Sequence, residues 1–141
     1  ITGRFKEVID DPFISDPSAV KKVIFCSGKI YFDLADKQRK DDRKDVAVVR
    51  VEQLYPIPYK PLSALYSKYG KAIWYWVQEE PLNMGAASFL QMNLNTGLRQ
   101  LGFPEINCGV ISRESSAAPA TGFAKIHAQE QSEIIETAFS I

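Results

Sequence analysis

The stretch AIWYWVQEEPLNMGAA, residues 72–87, decides the fold of this 141-residue chain. Residues 72–77 are apolar or aromatic, with no charge and no strict alternation, which is typical of a strand covered on both faces. Residues 78–81, QEEP, predict a polar turn at the end of that strand, and helix-forming residues follow Gly85. In open parallel sheets, functional loops gather at the carboxyl ends of the strands. This turn is therefore the first place to look for a site.

Three more strands, each followed by a helix, are predicted on either side of this stretch. The strands cover residues 20–27, 46–51 and 106–111, and the helices cover 29–40, 61–69, 85–101 and 123–139. Glycines at 70 and 102 are expected to end the second and third helices. The expected buried stripes are Leu90, Leu94, Leu98 and Leu101 in the third helix, and Ile126, Ile134, Ile135, Ala138 and Phe139 in the fourth.

Four alternations of strand and helix predict an α/β fold of three layers, with helices on both faces of one mostly parallel sheet. Residues 5–10 are predicted to add a short antiparallel edge strand, which makes five strands. Segment 1–19 is thus an edge strand and a lead-in, and residues 1–141 form a single domain. The chain begins with Ile rather than Met, so we expect it to be a piece of a longer protein.

The composition indicates a folded domain with no strongly charged partner. It is 45% hydrophobic and 24% charged, with 17 basic and 17 acidic residues. Because nucleic-acid binders usually carry a basic excess, that class is disfavoured, and no apolar run is long enough to span a bilayer. Cys26 and Cys108 each lie in an apolar run, so both are expected to be buried and reduced.

Glu79 and Glu80 are the only paired carboxylates that follow a predicted buried strand. A general acid or base needs a carboxylate whose pKa is shifted by burial or by neighbours. Adjacent residues in an extended segment point in opposite directions, so at most one of the two would face a shared cleft. Three roles stay open: catalysis, capping or ion pairing near the next helix, and contact with another domain or subunit.

Two predicted turns could hold an anion. Lys29 follows Ser27 and Gly28 after the first buried strand, but a single glycine falls short of the known phosphate-binding patterns. The loop 113–122 carries Arg113 and two serines, and Thr121 is a candidate cap for the last helix. A plain turn and an interdomain contact are the alternatives at these two places.

His127 is the only histidine, and no second ligand stands at metal-binding spacing from it. We expect it to be half-buried on a partly apolar helix face, with its ring nitrogens hydrogen-bonded. From the residues alone, the chain is an α/β domain without a complete catalytic set.

Four segments together resemble a known family in their order and spacing. They are VIFCSGKIYFDLADKQR, VAVVRVEQLYPIP, WVQEEPLNMGA and SRESSAAPATGFAKIHAQEQSEII. The chain resembles, from about Phe5 to Phe139, the C-terminal domain of the thiamine-dependent first component of the 2-oxoglutarate dehydrogenase complex. The resemblance implies a transketolase C-terminal-like fold, a five-stranded mixed sheet between helices with an antiparallel first strand.

The resemblance also implies a parent enzyme with a defined reaction. Such enzymes decarboxylate 2-oxoglutarate on thiamine diphosphate and Mg²⁺, and then pass the succinyl group to the lipoyl arm of a succinyltransferase core in the tricarboxylic acid cycle. The parent enzyme would be a homodimer in the bacterial cytoplasm or the mitochondrial matrix. This chain lacks the GDG…N motif of the thiamine-binding part, so the resemblance implies no catalytic, cofactor-binding or metal-binding residue here.

The resemblance therefore implies a structural role in assembly, against the preceding domains and the dimer partner. Glu79, Glu80 and Asn83 are the expected interdomain or dimer contacts. A regulatory module that binds an anionic nucleotide or coenzyme is the alternative, with Lys29 and Arg113 as its expected anion contacts.

Overall fold

A computed structural model describes residues 3–119 and 122–140. Within these ranges the strands are β1 (Val8–Ile9), β2 (Lys22–Cys26), β3 (Val46–Val51), β4 (Ile73–Pro81) and β5 (Cys108–Arg113). The helices are α1 (Ile30–Lys40), α2 (Tyr59–Tyr69), α3 (Ala87–Gln100) and α4 (Ala124–Phe139), with a short 3₁₀ helix at Pro17–Ala19.

The five strands form one sheet in the order β1-β3-β2-β4-β5. β2, β3, β4 and β5 are parallel, and β1 pairs antiparallel with β3 at Val8 and Val51. All five residues of β2 are buried, as expected for a central strand covered on both faces. The predicted α/β class, the five strands and the antiparallel edge are confirmed.

Each face of the sheet packs against its own pair of helices, because alternate strand residues point to opposite faces. On one face, Phe25, Val49, Trp74 and Trp76 meet apolar residues of α2 and α3. On the other face, Ile24, Val48, Val77 and Ile111 meet residues of α1 and α4. These two apolar layers are the cores of a three-layer α/β/α structure.

Several predicted boundaries and buried positions are wrong. β4 does not end at residue 77 but continues to Pro81, which pairs with Arg113 after an irregularity in the register. β5 is shifted two residues later than predicted, and α2 begins before Pro61. Leu101 is 50% exposed because α3 ends before it, and Ile126 is 46% exposed in the first turn of α4.

Two glycines allow aromatic rings to approach the backbone closely. A Cβ at Gly97, in α3, would lie 2.2 Å from the ring of Tyr59, and a Cβ at Gly109, in β5, would lie 2.5 Å from the ring of Tyr75. The Tyr59 hydroxyl also donates to the Asn93 carbonyl at 2.9 Å. Gly97 therefore fits α3 against α2, although glycine is a poor helix former.

The lead-in segment is joined to the sheet by a buried carboxylate. Asp11 accepts hydrogen bonds from the Val48 backbone N–H at 2.7 Å, the Gln38 amide at 2.6 Å and the Phe13 N–H at 2.8 Å. The Asp11 carboxylate thus extends the hydrogen bonding of β3 beyond the two residues that β1 covers, and it also binds α1 through Gln38.

Two cations hold the carboxyl end of α4. The buried Lys22 ammonium donates to the carbonyls of Ala138, at 3.1 Å, and Ser140. Arg43 donates to the Phe139 carbonyl at 2.8 Å. Positive charge at the carboxyl end of a helix also interacts favourably with the helix dipole. None of the helices in the described ranges has the length and apolarity needed to cross a membrane.

Candidate interdomain contact site

The predicted site region lies at the carboxyl edge of the sheet, and a buried glutamine organises it. The Gln78 side-chain oxygen accepts from the Trp76 indole N–H at 2.8 Å and from the Ala87 backbone N–H at 3.0 Å. Its amide nitrogen donates to the carbonyls of Pro81, at 3.1 Å, and Met84, at 2.8 Å. Gln78 therefore bonds the start of α3 and closes the turn, whereas the sequence leaves open a capping role for the neighbouring glutamates.

Gly85 is part of the same arrangement. It has a φ of +67°, and a Cβ there would lie 2.9 Å from the Gln78 side-chain oxygen. Both facts favour glycine, since other residues adopt positive φ at a cost and a side chain would displace the amide. The sequence predicts a turn at Gly85 but does not indicate that the Gln78 side chain packs inside that turn.

Asn83 bonds to the loop that follows β5. Its amide nitrogen donates to the Ser116 carbonyl at 3.0 Å, and its oxygen accepts from the Ser116 N–H at 3.0 Å. This reciprocal pair joins the loops after β4 and β5, although Asn83 itself is exposed. Asn83 therefore orders the surface on which an interdomain contact is expected.

Arg113 connects the two loops to α4. Its Nε donates to the Glu79 carbonyl at 2.5 Å, one terminal nitrogen donates to the Pro119 carbonyl at 2.7 Å, and the other lies 3.5 Å from a Glu130 carboxylate oxygen. Arg113 is the last residue of β5, not a loop residue as predicted. Its guanidinium is thus engaged within the domain on three sides.

The two glutamates differ from their neighbours. Glu79 is half-buried and Glu80 is exposed, and neither carboxylate has a hydrogen-bond or ion-pair partner among residues 3–119 and 122–140. α3 begins without a side-chain cap from either of them. By contrast, the side chains of Gln78, Asn83 and Arg113 beside them are bonded inside the domain.

Lys29 lies in a different groove from Arg113. It borders a groove of about 560 Å³ between α1 and α4, together with Asp33, Lys37 and His127. Arg113 borders a groove of about 680 Å³ between β5 and α4. His127 is half-buried as expected, but the expected hydrogen bonds are incomplete, since its Nδ1 is buried without a partner in the described part of the chain. Thr121, the expected cap of α4, lies outside the described residues.

The cysteines agree only in part with expectation. Cys26 is fully buried and free, whereas Cys108 is free but half-buried at the edge strand. Burial raises the pKa of the Cys26 thiol to about 12 and that of the Cys108 thiol to about 11. Both are therefore thiols rather than thiolates at neutral pH.

The fold and the bonded loops define a class, an α/β/α domain whose loops at the carboxyl edge of the sheet are joined to one another by hydrogen bonds. Residues 1–139 match the family described as 2-oxoglutarate dehydrogenase C-terminal, and the chain belongs to this family. The predicted resemblance is confirmed.

Curated relatives of the chain are much longer proteins. The chain is 37% identical over 141 residues to the 2-oxoglutarate dehydrogenase E1 component of Haemophilus influenzae, covering 99% of this chain and 15% of the relative. It is 37% identical over 140 residues to the protein of the same name from Azotobacter vinelandii, with the same coverage. The 2-oxoglutarate dehydrogenase E1/E2 component of Corynebacterium glutamicum is 39% identical over 137 residues, covering 96% of this chain and 11% of that protein.

Proposed function

We propose that this chain is the structural and assembly domain of a bacterial, cytoplasmic 2-oxoglutarate dehydrogenase. The whole enzyme would decarboxylate 2-oxoglutarate on thiamine diphosphate and Mg²⁺ and pass the succinyl group to a lipoyl group of the succinyltransferase core. The domain would contact the preceding domains and the homodimer partner. Family membership and the small share of each relative that the chain spans support this assignment.

The residues of this chain do not fit the cofactor. Within the described ranges, no group of three or more His, Cys, Asp or Glu residues could hold a metal ion, and the sequence has no GDG…N motif. Mg²⁺ requires oxygen ligands in octahedral geometry, usually shared with substrate phosphates. We therefore assign no step of the reaction to residues of this domain.

One observation carries the assembly role. Glu79 and Glu80 lack a partner within the described chain, whereas the side chains of Gln78, Asn83 and Arg113 beside them are all bonded inside the domain. Oriented charges on an ordered surface are typical of the polar parts of protein interfaces. The same surface lies at the carboxyl edge of the sheet, where open α/β domains make their functional contacts.

The test is Glu80→Ala in the full-length dimeric enzyme. We expect the dimer to dissociate at least about fivefold more readily, about 1 kcal/mol, because a cross-interface partner loses its carboxylate. Sedimentation across a dilution series measures this change. Glu105→Ala, an exposed acid in the loop before β5, is the matched control and should leave the dimer unchanged. Abolished turnover in an intact dimer at saturating substrate would contradict the assembly role.

The alternative function is a regulatory module that binds an anionic nucleotide or coenzyme. The observation in its favour is Lys29, an exposed ammonium without a partner among the described residues, in the same groove as the unbonded Nδ1 of His127. Because Arg113 lines a separate groove and is bonded inside the domain, we place this alternative at Lys29. Loss of phosphate or nucleotide binding in Lys29→Gln, measured by calorimetry, would support it.

A further inference from the structure

The two edges of the sheet are closed in different ways. On the β3 side, β1 covers two residues and the Asp11 carboxylate takes the Val48 N–H, so little unpaired backbone remains there. On the other side, β5 is a six-residue outer strand that pairs with β4 alone. Long unpaired edges are uncommon in stable proteins because they recruit further strands.

The outward side of β5 has unused hydrogen-bonding capacity. In a parallel pair, about half of the backbone groups of an outer strand point away from its neighbour. Outside the pairing with β4, the described residues give the backbone of the strand few bonds: the Cys108 N–H donates to the Ile106 carbonyl at 3.0 Å, and the Arg113 carbonyl accepts from the Leu82 N–H at 3.0 Å. Five of its six residues are half-buried, whereas every residue of β2 is buried. No lysine or proline within the strand protects this edge.

A groove lies along this edge, between β5 and α4, and we call it the edge groove. Its volume is about 680 Å³, and Ile111 and Ile134 form part of its apolar lining. Its charged lining is mainly acidic, with Glu114, Glu130 and Glu133. Arg113, the cation among the described residues that line the groove, is bonded to the Glu79 and Pro119 carbonyls and lies 3.5 Å from one Glu130 carboxylate oxygen, so it balances only part of this negative charge.

We propose that β5 receives an added strand in the parent enzyme, an extended segment with lysine or arginine side chains that lie in the edge groove. Strand addition supplies backbone hydrogen bonds along a free edge, and alternate side chains then occupy adjacent pockets. Side chains that turn towards α4 would meet Glu130 and Glu133, so basic residues fit at those alternate positions.

The segment comes from the same polypeptide. The family is the C-terminal part of its enzyme, and the chain spans only 15% of relatives such as the Haemophilus influenzae protein. A tethered segment binds at a high effective concentration, so strand addition from the same chain needs little intrinsic affinity. The inference rests on the proposed function in one respect, that the domain works within the longer enzyme.

Hydrogen exchange of the full-length enzyme, followed by mass spectrometry, tests the added strand. We expect all amides of residues 108–113 to exchange slowly. Exchange of about half of them within seconds, the behaviour of an outer strand, would overturn the proposal. If the protection disappears when the dimer is diluted into monomers, the added strand comes from the second protomer. That result would overturn the proposal that it comes from the same polypeptide.

Charge reversal tests the nature of the segment. Glu114→Lys with Glu133→Lys should raise the exchange rate of residues 108–113 by at least tenfold, while Glu105→Lys should not change it. Exchange of residues 22–26, in the central strand, reports general damage and should stay constant in both variants. Unchanged exchange at 108–113 in the double variant would refute a basic segment. Because the assembly role is read from Glu80→Ala and dimer dissociation, either proposal can fail without the other.

Discussion

Arg43 and Asp45 form an ion pair with two hydrogen bonds. Two guanidinium nitrogens of Arg43 approach the two Asp45 carboxylate oxygens, at 2.8 and 3.1 Å, and a third donates to the Phe139 carbonyl. The hydrogen bonds from Arg43 are the main cause of a lowered pKa of Asp45. This pair joins the start of β3 to the end of α4.

The ion pair predicts a pH-dependent loss of stability. Because the folded pKa of Asp45 lies below the unfolded value, its stabilisation is present above about pH 4 and is lost as the pH falls through the folded pKa. Asp45→Asn should therefore cost about 0.5–1 kcal/mol at pH 7, the range for a partly exposed pair, and progressively less below pH 4. Urea unfolding at several pH values measures this, with the exposed Asp42→Asn as control. An equal cost at pH 7 and pH 2 would contradict the ion-pair explanation.

The cysteines predict an order of thiol reactivity. Cys26 is fully buried with a pKa of about 12, and Cys108 is half-buried with a pKa of about 11. Because the thiolate is the reactive form, both should react far more slowly than a free thiol at pH 7.5, and Cys26 more slowly than Cys108. A disulfide exchange reagent, used with and without denaturant, gives both rates. Rapid native-state labelling of Cys26 would be inconsistent with its burial.

Residue-level detail was the least predictable from sequence. Asp11, Lys22 and Gln78 are buried polar residues that bond backbone groups, distant in the chain for Asp11 and Lys22 and within the following turn for Gln78. No local pattern indicates such bonds, because backbone partners leave no trace in side-chain identity. Glu79 and Glu80 drew attention through their charge, whereas the neutral residue beside them bonds the turn.

At the scale of elements, apolar runs predicted the type and order of every long strand and helix. The predicted end of β4 was wrong because charge and proline in QEEP indicate a turn, yet pairing of Pro81 with Arg113 extends the strand. Leu101 follows the end of α3, and Ile126 lies in the first turn of α4. Both fit the apolar spacing of their helices, but neither is covered by the sheet. Periodicity therefore predicts a helix face better than it predicts where that face stops being covered.

The turn between β4 and α3 predicts a large effect for one neutral substitution. Gln78→Leu removes the acceptor of the Trp76 indole and Ala87 N–H groups and the donor of two carbonyls. Because unpaired buried polar groups cost about 1–3 kcal/mol each, we expect the free energy of unfolding to fall by about 2–4 kcal/mol. Denaturant unfolding measures it, and Gln91→Leu on the exposed side of α3 is the control. A loss below 0.5 kcal/mol would show that the turn does not depend on these bonds.

At the scale of the whole molecule, two polar contacts join the ends of the described chain to the sheet. Asp11 binds the lead-in segment to β3 and α1, and Lys22 binds the end of α4 to β2. These contacts are long-range, so they depend on the completed fold. The fold class could be predicted from the order of elements, but the way in which the terminal segments attach could not.

Asp11→Ala should destabilise the domain by about 2–3 kcal/mol, because the Val48 N–H and the Gln38 amide lose a buried acceptor. Asp11→Asn keeps one oxygen acceptor and should cost less. Asp16→Ala, which loses only exposed bonds to Ser18, is the control. Thermal unfolding of the three variants ranks them, and equal effects of Asp11→Ala and Asp16→Ala would refute the structural importance of Asp11.

The position of α4 has a consequence for synthesis of the protein. The face of the sheet with Ile24 and Val48 is covered by α1 and by α4, and these two helices are about a hundred residues apart in the chain. During translation that face stays half-covered until α4 has left the ribosome, although the opposite face can already be closed by α2 and α3. Newly made chains therefore expose this one apolar face of the sheet until α4 is made. A chaperone would bind them at that face.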